Sequence, residues 1–379
     1  MPFPARPACL DFPVLFGYQS KAMPPIPSFV HDALAGRVVF GAGSVGSLVG
    51  EVDRLGARRV LAIAGKRAID GLVERLGDRW AASFTEVQQH VPAEVAARAV
   101  AAARQTGADC LVALGGGSAT GTAKAVALEH PAPIVAVPTT YAGSEMTPIY
   151  GISGPEGKRT GRDLRVLPRT VIYDPVLTTG LPAEVTGPSG MNAIAHCVEA
   201  LYAPGSNPVS SLLATSGAKL LWRALPRAVE DPADLGARSD ALVGAWLGGS
   251  AMAAAGVAIH HQLCHLLGGA YRLPHAELHA VVLPHVVGFV APAARPQLAG
   301  LAAGLGLDDL AGGIWELGRR LGTPAGLGEL GLAEAELGRA AEQAVARVVQ
   351  TPRRAGVTEL RALLEAAWRG RRPASVARA

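Results

Sequence analysis

Asp109-Cys-Leu-Val-Ala-Leu114 runs into Gly115-Gly-Gly-Ser118, then Ala119 to Leu128, then Pro133-Ile-Val-Ala-Val137. The two apolar runs are too short for helices and lack a polar alternation, so both read as strands buried on both faces. The segment between them reads as a helix. Strand, glycine turn, helix and strand in that order form the unit of a parallel sheet. The alternation extends towards the N-terminus. Arg37-Val-Val-Phe40 is a strand ending at Gly41-Ala-Gly43-Ser44, and Arg59 to Ala64 is a second. Lys66 to Leu76 follows as a helix, Phe84 to Val87 as a third strand, and Ala93 to Thr106 as an Ala-rich helix. The expected fold class is therefore a doubly wound, mostly parallel, Rossmann-like α/β domain. Beyond Asp174-Pro175 the strand signal stops and Ala/Leu helical periodicity takes over. Breaks are expected at Pro182, Pro188, Pro204, Pro274, Pro284, Pro292 and Pro324. Four segments are expected. A Pro-rich, disordered N-terminal extension covers 1–27, and a dinucleotide-binding α/β domain covers 28–175. An all-α substrate and catalytic domain covers 176–373, and a frayed tail covers 374–379.

Composition narrows the function classes. Of 379 residues, 49% are hydrophobic and 17% charged, which is enough apolar material for large cores. The net charge of +4 is small, and its arginines are scattered without interleaved aromatics, so no nucleic-acid partner is expected. Cys9, Cys110, Cys197 and Cys264 have no short-spaced pairing and read as reduced thiols of a cytoplasmic protein. Met1 to Pro27 lacks the basic and apolar regions of a signal peptide, and Met23 is an alternative start. The uncharged run Ala241 to Ile259 is long enough to cross a bilayer, but its Gly, Ala and Ser content reads as a buried central helix, so no membrane partner is expected.

Gly115, Gly116, Gly117 and Ser118 leave a strand and open a helix. Without Cβ atoms a phosphate can approach the backbone, and the helix N-terminus supplies N–H donors. After the next strand, Pro138-Thr139-Thr140-Tyr-Ala-Gly143-Ser144 places hydroxyls at the carboxyl edge of the sheet, where open α/β folds bind ligands. Thr139, Thr140 and Ser144 join the glycine turn as candidate cofactor contacts. Gly41-Ala-Gly43-Ser-Val-Gly46 has the form G-x-G-x-x-G, yet the acidic residue expected about 20 positions on is missing. The second strand ends instead at Gly65-Lys66-Arg67, which admits NADPH at least as readily as NADH.

Six of the ten histidines fall between His260 and His285. Asn192 and His196, His261 and His265, and His275 and His279 are each spaced to share a helix face, so each pair can enter one cavity. His260 cannot share the face of His261; it pairs with Cys264 and is expected behind the site. Glu199 either orients His196 or is a charge on the helix surface.

Together these residues resemble the iron-containing (group III) alcohol dehydrogenase superfamily, and within it the maleylacetate reductases. The resemblance rests on Phe29-Val-His31, Gly115 to Gly121, Pro138 to Gly151, Gly190 to Tyr202, His260 to Gly269 and Pro274 to Ala280, and spans roughly Phe29 to Pro373. It implies a dehydroquinate synthase-like fold, NADH or NADPH as cofactor, and a homodimer. It places the metal ligands of metal-dependent members on His196, His261 and His275, with Asn192 where the family has Asp. A neutral amide there implies no tightly bound metal. Metal-dependent alcohol dehydrogenases of the same fold are the rival class, and a non-catalytic nucleotide-binding protein is another.

The implied reaction reduces the alkene of maleylacetate, a dicarboxylate conjugated to a ketone, to 3-oxoadipate in aromatic-compound breakdown. His196, His261 and His275 are then expected to anchor the substrate and stabilise an enolate. His265, near the nicotinamide by the resemblance, is the expected proton relay. Tyr141 and Tyr150 are possible donors, and His279 is a candidate for the second carboxylate.

Overall fold

The structure, a computed structural model, describes residues 29–34, 36–154, 157–348 and 350–373. The expectations for 1–27, Cys9, Met23 and the 374–379 tail lie outside these residues. The N-terminal half alternates as its apolar pattern dictates: β1 (Arg37–Phe40), α1 (Leu48–Arg54), β2 (Val60–Ala64), α2 (Ile69–Leu76), β3 (Trp80–Phe84), α3 (Ala93–Thr106), β4 (Cys110–Gly115), α4 (Gly117–Glu129) and β5 (Ile134–Pro138). A hairpin of β6 (Ile149–Gly154) and β7 (Gly157–Arg162) follows, then β8 (Thr170–Tyr173). Six strands make one parallel sheet in the order β1-β8-β5-β4-β2-β3.

The central strands are apolar on both sides because both are covered. Leu61, Ile63, Leu111 and Ala113 pack under α3 and α4, while Val60, Ala62, Cys110 and Val112 pack under α1 and α2. The third strand lies earlier than Phe84 to Val87, over Trp80–Phe84. It is an edge strand with Trp80 half exposed, so its pattern is mixed. Its one strongly buried residue, Phe84, closes the strand instead of opening it. The antiparallel β6/β7 hairpin also lies outside the expected alternation. Its half-buried residues give no clean period.

From α5 onward the described residues are helical: α5 (Ala183–Ala200), α6 (Pro208–Glu230), α7 (Leu235–Ala255), α8 (Ile259–Tyr271), α9 (His275–Val290), α10 (Arg295–Leu305), α11 (Leu310–Arg320), α12 (Leu337–Arg347) and α13 (Val357–Trp368). Pro188 and Pro284 do not break the pattern; they lie inside α5 and α9. Each interior proline costs about 3 kcal/mol of helix stability. Both sit among residues that are buried almost continuously, and that burial outweighs the missing N–H. The run Ala241 to Ile259 belongs to α7 only as far as Ala255. Gly256, at φ 80°, ends the helix, and α8 leaves at 100° to α7. That turn brings His260 and His261 against α5. No single helix among the described residues is long and apolar enough to cross a membrane.

Candidate active site

A cavity of about 670 Å³ lies between the carboxyl edge of the sheet and the helical domain. Gly115, Gly116, Gly117, Ser118, Thr139, Thr140 and Ser144 line it, and so do Asn192, His196, His261, His265 and His275. Lys66 and Arg67 line it beyond the glycine turn. The fold thus gathers the candidate cofactor contacts and the expected catalytic histidines around one space.

The glycine turn fits a dinucleotide. Gly115 has φ 146°, and a Cβ on Gly116 would meet Thr140 at 3.0 Å, so the turn is closed to larger residues. No side chain caps α4, which leaves its first N–H groups available to an anion. The Gly41–Gly46 turn is different. Asp174 fills it, accepting the amides of Gly43 at 3.0 Å and Val45 at 3.1 Å. Its G-x-G-x-x-G form therefore serves the join between β1 and β8.

The histidines form an array of rings across α5, α8 and α9. His196 and His261 stack at 5.1 Å between centroids, and His261 meets His265 edge-on at 6.1 Å. His265 stacks on His275 at 6.4 Å. Gly143, at φ 70°, leaves room for His196, since a Cβ there would lie 2.8 Å from its Nδ1. That Nδ1 is buried without a partner. Burial, then the neighbouring His261, His260 and His265, hold His196 well below the usual imidazole range. It is held as a neutral ring, not a cation.

Glu199 does neither of the things expected of it. It is buried, and it orients His261 rather than His196. One oxygen accepts from His261 Nδ1; the other accepts the amides of His260 at 2.7 Å and His261 at 3.3 Å. A single carboxylate thus caps α8 and sets the tautomer of His261, whose Nε2 is left bare and unpartnered. His260 lies behind, as expected, with Cys264 Sγ at 3.9 Å and its Nε2 bonded to His279 Nδ1 at 2.9 Å. His279 is fully buried in that second layer and does not line the cavity, so it is not placed to receive a substrate carboxylate. Tyr141 is also removed from the cavity: it is buried and bonded to Arg238 Nη1 at 3.0 Å. Tyr150 does line it, its ring laid across Gly161 of the hairpin.

Two lining residues are not among those the sequence singles out. Lys124, at the buried centre of α4, lines the cavity and donates to the carbonyls of Ser144 at 2.6 Å, Thr147 at 2.8 Å and Ile149 at 2.8 Å. Desolvation lowers its pKa to about 7 against the opposing charge of Glu145. His90 lines the cavity as well. The placing of Lys124 about two helical turns after Gly117, on the same face, is the one signal that could have pointed to it. His90 lies in a loop with no pattern at all.

Of the residues that the resemblance assigns to a metal, His196, His261 and His275 do not bring their ring nitrogens within 4.8 Å of one another. Among the described residues, three ring nitrogens come within 4.8 Å of one another in His260, His261 and His279. That set lies behind the wall and is already hydrogen-bonded within itself. His196 turns Nδ1 towards Gly143, and Asn192 offers a neutral amide with an unpartnered Oδ1. A divalent cation would find no carboxylate in the place of Asn192.

Residues 35–175 match the iron-containing alcohol dehydrogenase family, and 186–368 match the C-terminal region of the Fe-containing alcohol dehydrogenase family. A maleylacetate reductase of Burkholderia cepacia is 47% identical over 352 residues, covering 91% of this chain and 99% of its own. Maleylacetate reductase 2 of Cupriavidus pinatubonensis is 48% identical, over 89% of this chain and 96% of its own. The crystal structure of maleylacetate reductase from Agrobacterium tumefaciens superposes with a TM-score of 0.87 at 45% identity, over 92% of this chain and 100% of that one.

Proposed function

The chain belongs to the iron-containing alcohol dehydrogenase family and, within it, to the maleylacetate reductases, and from that premise we propose how its cleft works. The protein reduces the alkene of maleylacetate to 3-oxoadipate with NADH or NADPH. The observation that carries this reading is one cavity lined both by the glycine turn, at an α4 N-terminus that no side chain caps, and by His196, His261, His265 and His275.

The dihydronicotinamide, when bound, supplies the hydride. It adds to the alkene carbon β to the ketone, and the electron pair moves to the ketone oxygen as an enolate. The α-carbon then takes a proton. Neutral His196 suits the enolate oxygen, as a preorganised dipole in a dry site. His261 is held in place by Glu199, which accepts from Nδ1, so that its bare Nε2 is turned to the reacting group. His265 and His275 continue the array to the cavity and serve as relay and substrate anchor. Gly115, Gly116, Gly117, Ser118, Thr139, Thr140 and Ser144 hold the cofactor. Lys66 and Arg67 suit a 2′-phosphate.

No tightly held metal is part of this proposal. We also read 28–175 as the cofactor domain and 176–373 as the catalytic domain, in a cytoplasmic homodimer; these rest on the element order and the family.

The test is maleylacetate-dependent oxidation of NADH and of NADPH, before and after exhaustive chelation. Turnover that survives chelation is the expected result. Loss on chelation with recovery on Fe²⁺ or Zn²⁺ would overturn the metal-free site, and oxidation of alcohols without turnover of maleylacetate would overturn the reaction.

A further inference from the structure

Among the described residues three non-glycine residues adopt positive φ: His90 at 62°, Val91 at 46° and Arg272 at 54°. Such backbone is unfavourable for L side chains, most of all for a β-branched one, and it persists only where surrounding structure over-determines it. All three lie at one contact. His90 Nε2 is 3.2 Å from the carbonyl oxygen of Leu273, the residue after Arg272. A carbonyl only accepts, so Nε2 carries the proton and donates. The bond joins the loop between β3 and α3, on the nucleotide side of the cleft, to the turn between α8 and α9 on the catalytic side.

That turn is three residues long, Arg272 to Pro274. It connects the helix carrying His261 and His265 to the helix that begins with His275. His90 also meets the His275 ring edge-on at 6.1 Å. Its own loop is pinned from the other side. Ser153 Oγ donates to the His90 carbonyl at 2.9 Å, and the Ser153 amide donates to Val91 O at 3.0 Å. Val91 packs on Gly121, where a Cβ would lie 2.8 Å from Val91 Cγ2.

We propose that His90 is a positioning residue for the reduction: a strut from the cofactor domain that fixes the α8–α9 turn and so the spacing of His265 and His275 across the cavity. This role rests on the reaction proposed for the cleft, and its effects on the turn are visible without turnover. His90 acts through His275 rather than on the substrate.

The test compares His90→Ala, His90→Gln and Ser153→Ala with the unaltered protein. Gln keeps an N–H within reach of Leu273; Ala does not. In His90→Ala, kcat for maleylacetate should fall about tenfold or more while the KM for NADH changes by less than about twofold, as expected for a group that orients others. His90→Gln should recover most of the loss, and Ser153→Ala should fall between the two. In the nucleotide-free protein, amide hydrogen exchange over 269–276 should rise in His90→Ala with the thermal midpoint little changed. Unchanged kcat with unchanged exchange would overturn the proposal, as would Gln failing like Ala. If His90→Ala does not fold, the Gln and Ser153 variants still decide it. A failure of the unaltered protein to reduce maleylacetate would sink the reaction while leaving the exchange measurement to judge the strut.

Discussion

Glu199 and His261 are bound to each other in the buried interior, and the same carboxylate caps the helix on which His261 stands. Removing its charge should therefore act on chemistry and stability together. In Glu199→Gln an amide cannot accept at both oxygens, so either the ring or the cap is released. The expected outcome is a kcat about 10–100-fold lower, the range for a lost orienting partner of a functional histidine, with a stability loss of about 1–3 kcal/mol from unmet buried donors. Steady-state kinetics and denaturant melts check both.

Lys66 and Arg67 stand exposed and line the cavity with the glycine turn, after a strand that ends without a carboxylate. Replacing Lys66 or Arg67 by Glu should raise the KM for NADPH by roughly tenfold, equivalent to about 1.4 kcal/mol of lost charge pairing with a 2′-phosphate. The KM for NADH should move far less. Equal changes for both cofactors would place the two cations away from the 2′ position.

Whether a feature is legible in the chain depends on where each residue gets its signal. The central strands are legible because burial on both faces leaves a run such as Val60 to Ala64 with nothing polar in it. The edge strand β3 and the hairpin, half in water, leave no such run. Histidines spaced to share a face declare a site, since clustering is visible along the chain. Their partners do not: Glu199 reaches His261 across 62 positions and His90 reaches Leu273 across 183. Such pairings are made by the α7–α8 bend and by domain docking, which no local pattern encodes. Lys124 is hidden for a similar reason, because its acceptors are main-chain carbonyls of a distant loop.

Lys124 secures that loop, with further contacts to the hydroxyls of Ser144 and Thr147 at 3.1 Å each. In Lys124→Met the carbonyls of Ser144, Thr147 and Ile149 lose their donor in a buried place. A loss of about 3 kcal/mol is expected, since each unmet buried acceptor costs roughly 1–3 kcal/mol and the loop will recover part of it. Ser144 faces the cavity, so NADH should also bind more weakly, which fluorescence titration of the nucleotide would detect. Unchanged stability would mean that water replaces the ammonium fully.

Acid should unfold this protein early. Burial holds His196, His260 and His279 well below their usual range, and lowers His285 to about 4. The folded state thus binds fewer protons than the unfolded one below the unfolded imidazole value of about 6.5. Stability is full above that pH and declines as pH falls, at up to about 1.4 kcal/mol per pH unit for each ring that stays neutral. Four such rings together give roughly 5 kcal/mol per unit, a large share of the 5–15 kcal/mol typical of a folded domain. Lys124 works in the same direction at higher pH: its folded value near 7 lies below its unfolded one, so its penalty is relieved as pH rises above 7. Glu145 opposes them, because burial raises its folded value and its contribution is lost as pH rises through it. One carboxyl does not offset four imidazoles. The thermal midpoint, measured with chelator present from pH 7.5 to 5, should fall steeply below about pH 6.5, and His285→Phe should make that fall shallower by about one proton. A midpoint that stays level to pH 5 would mean that these rings accept protons in the folded state.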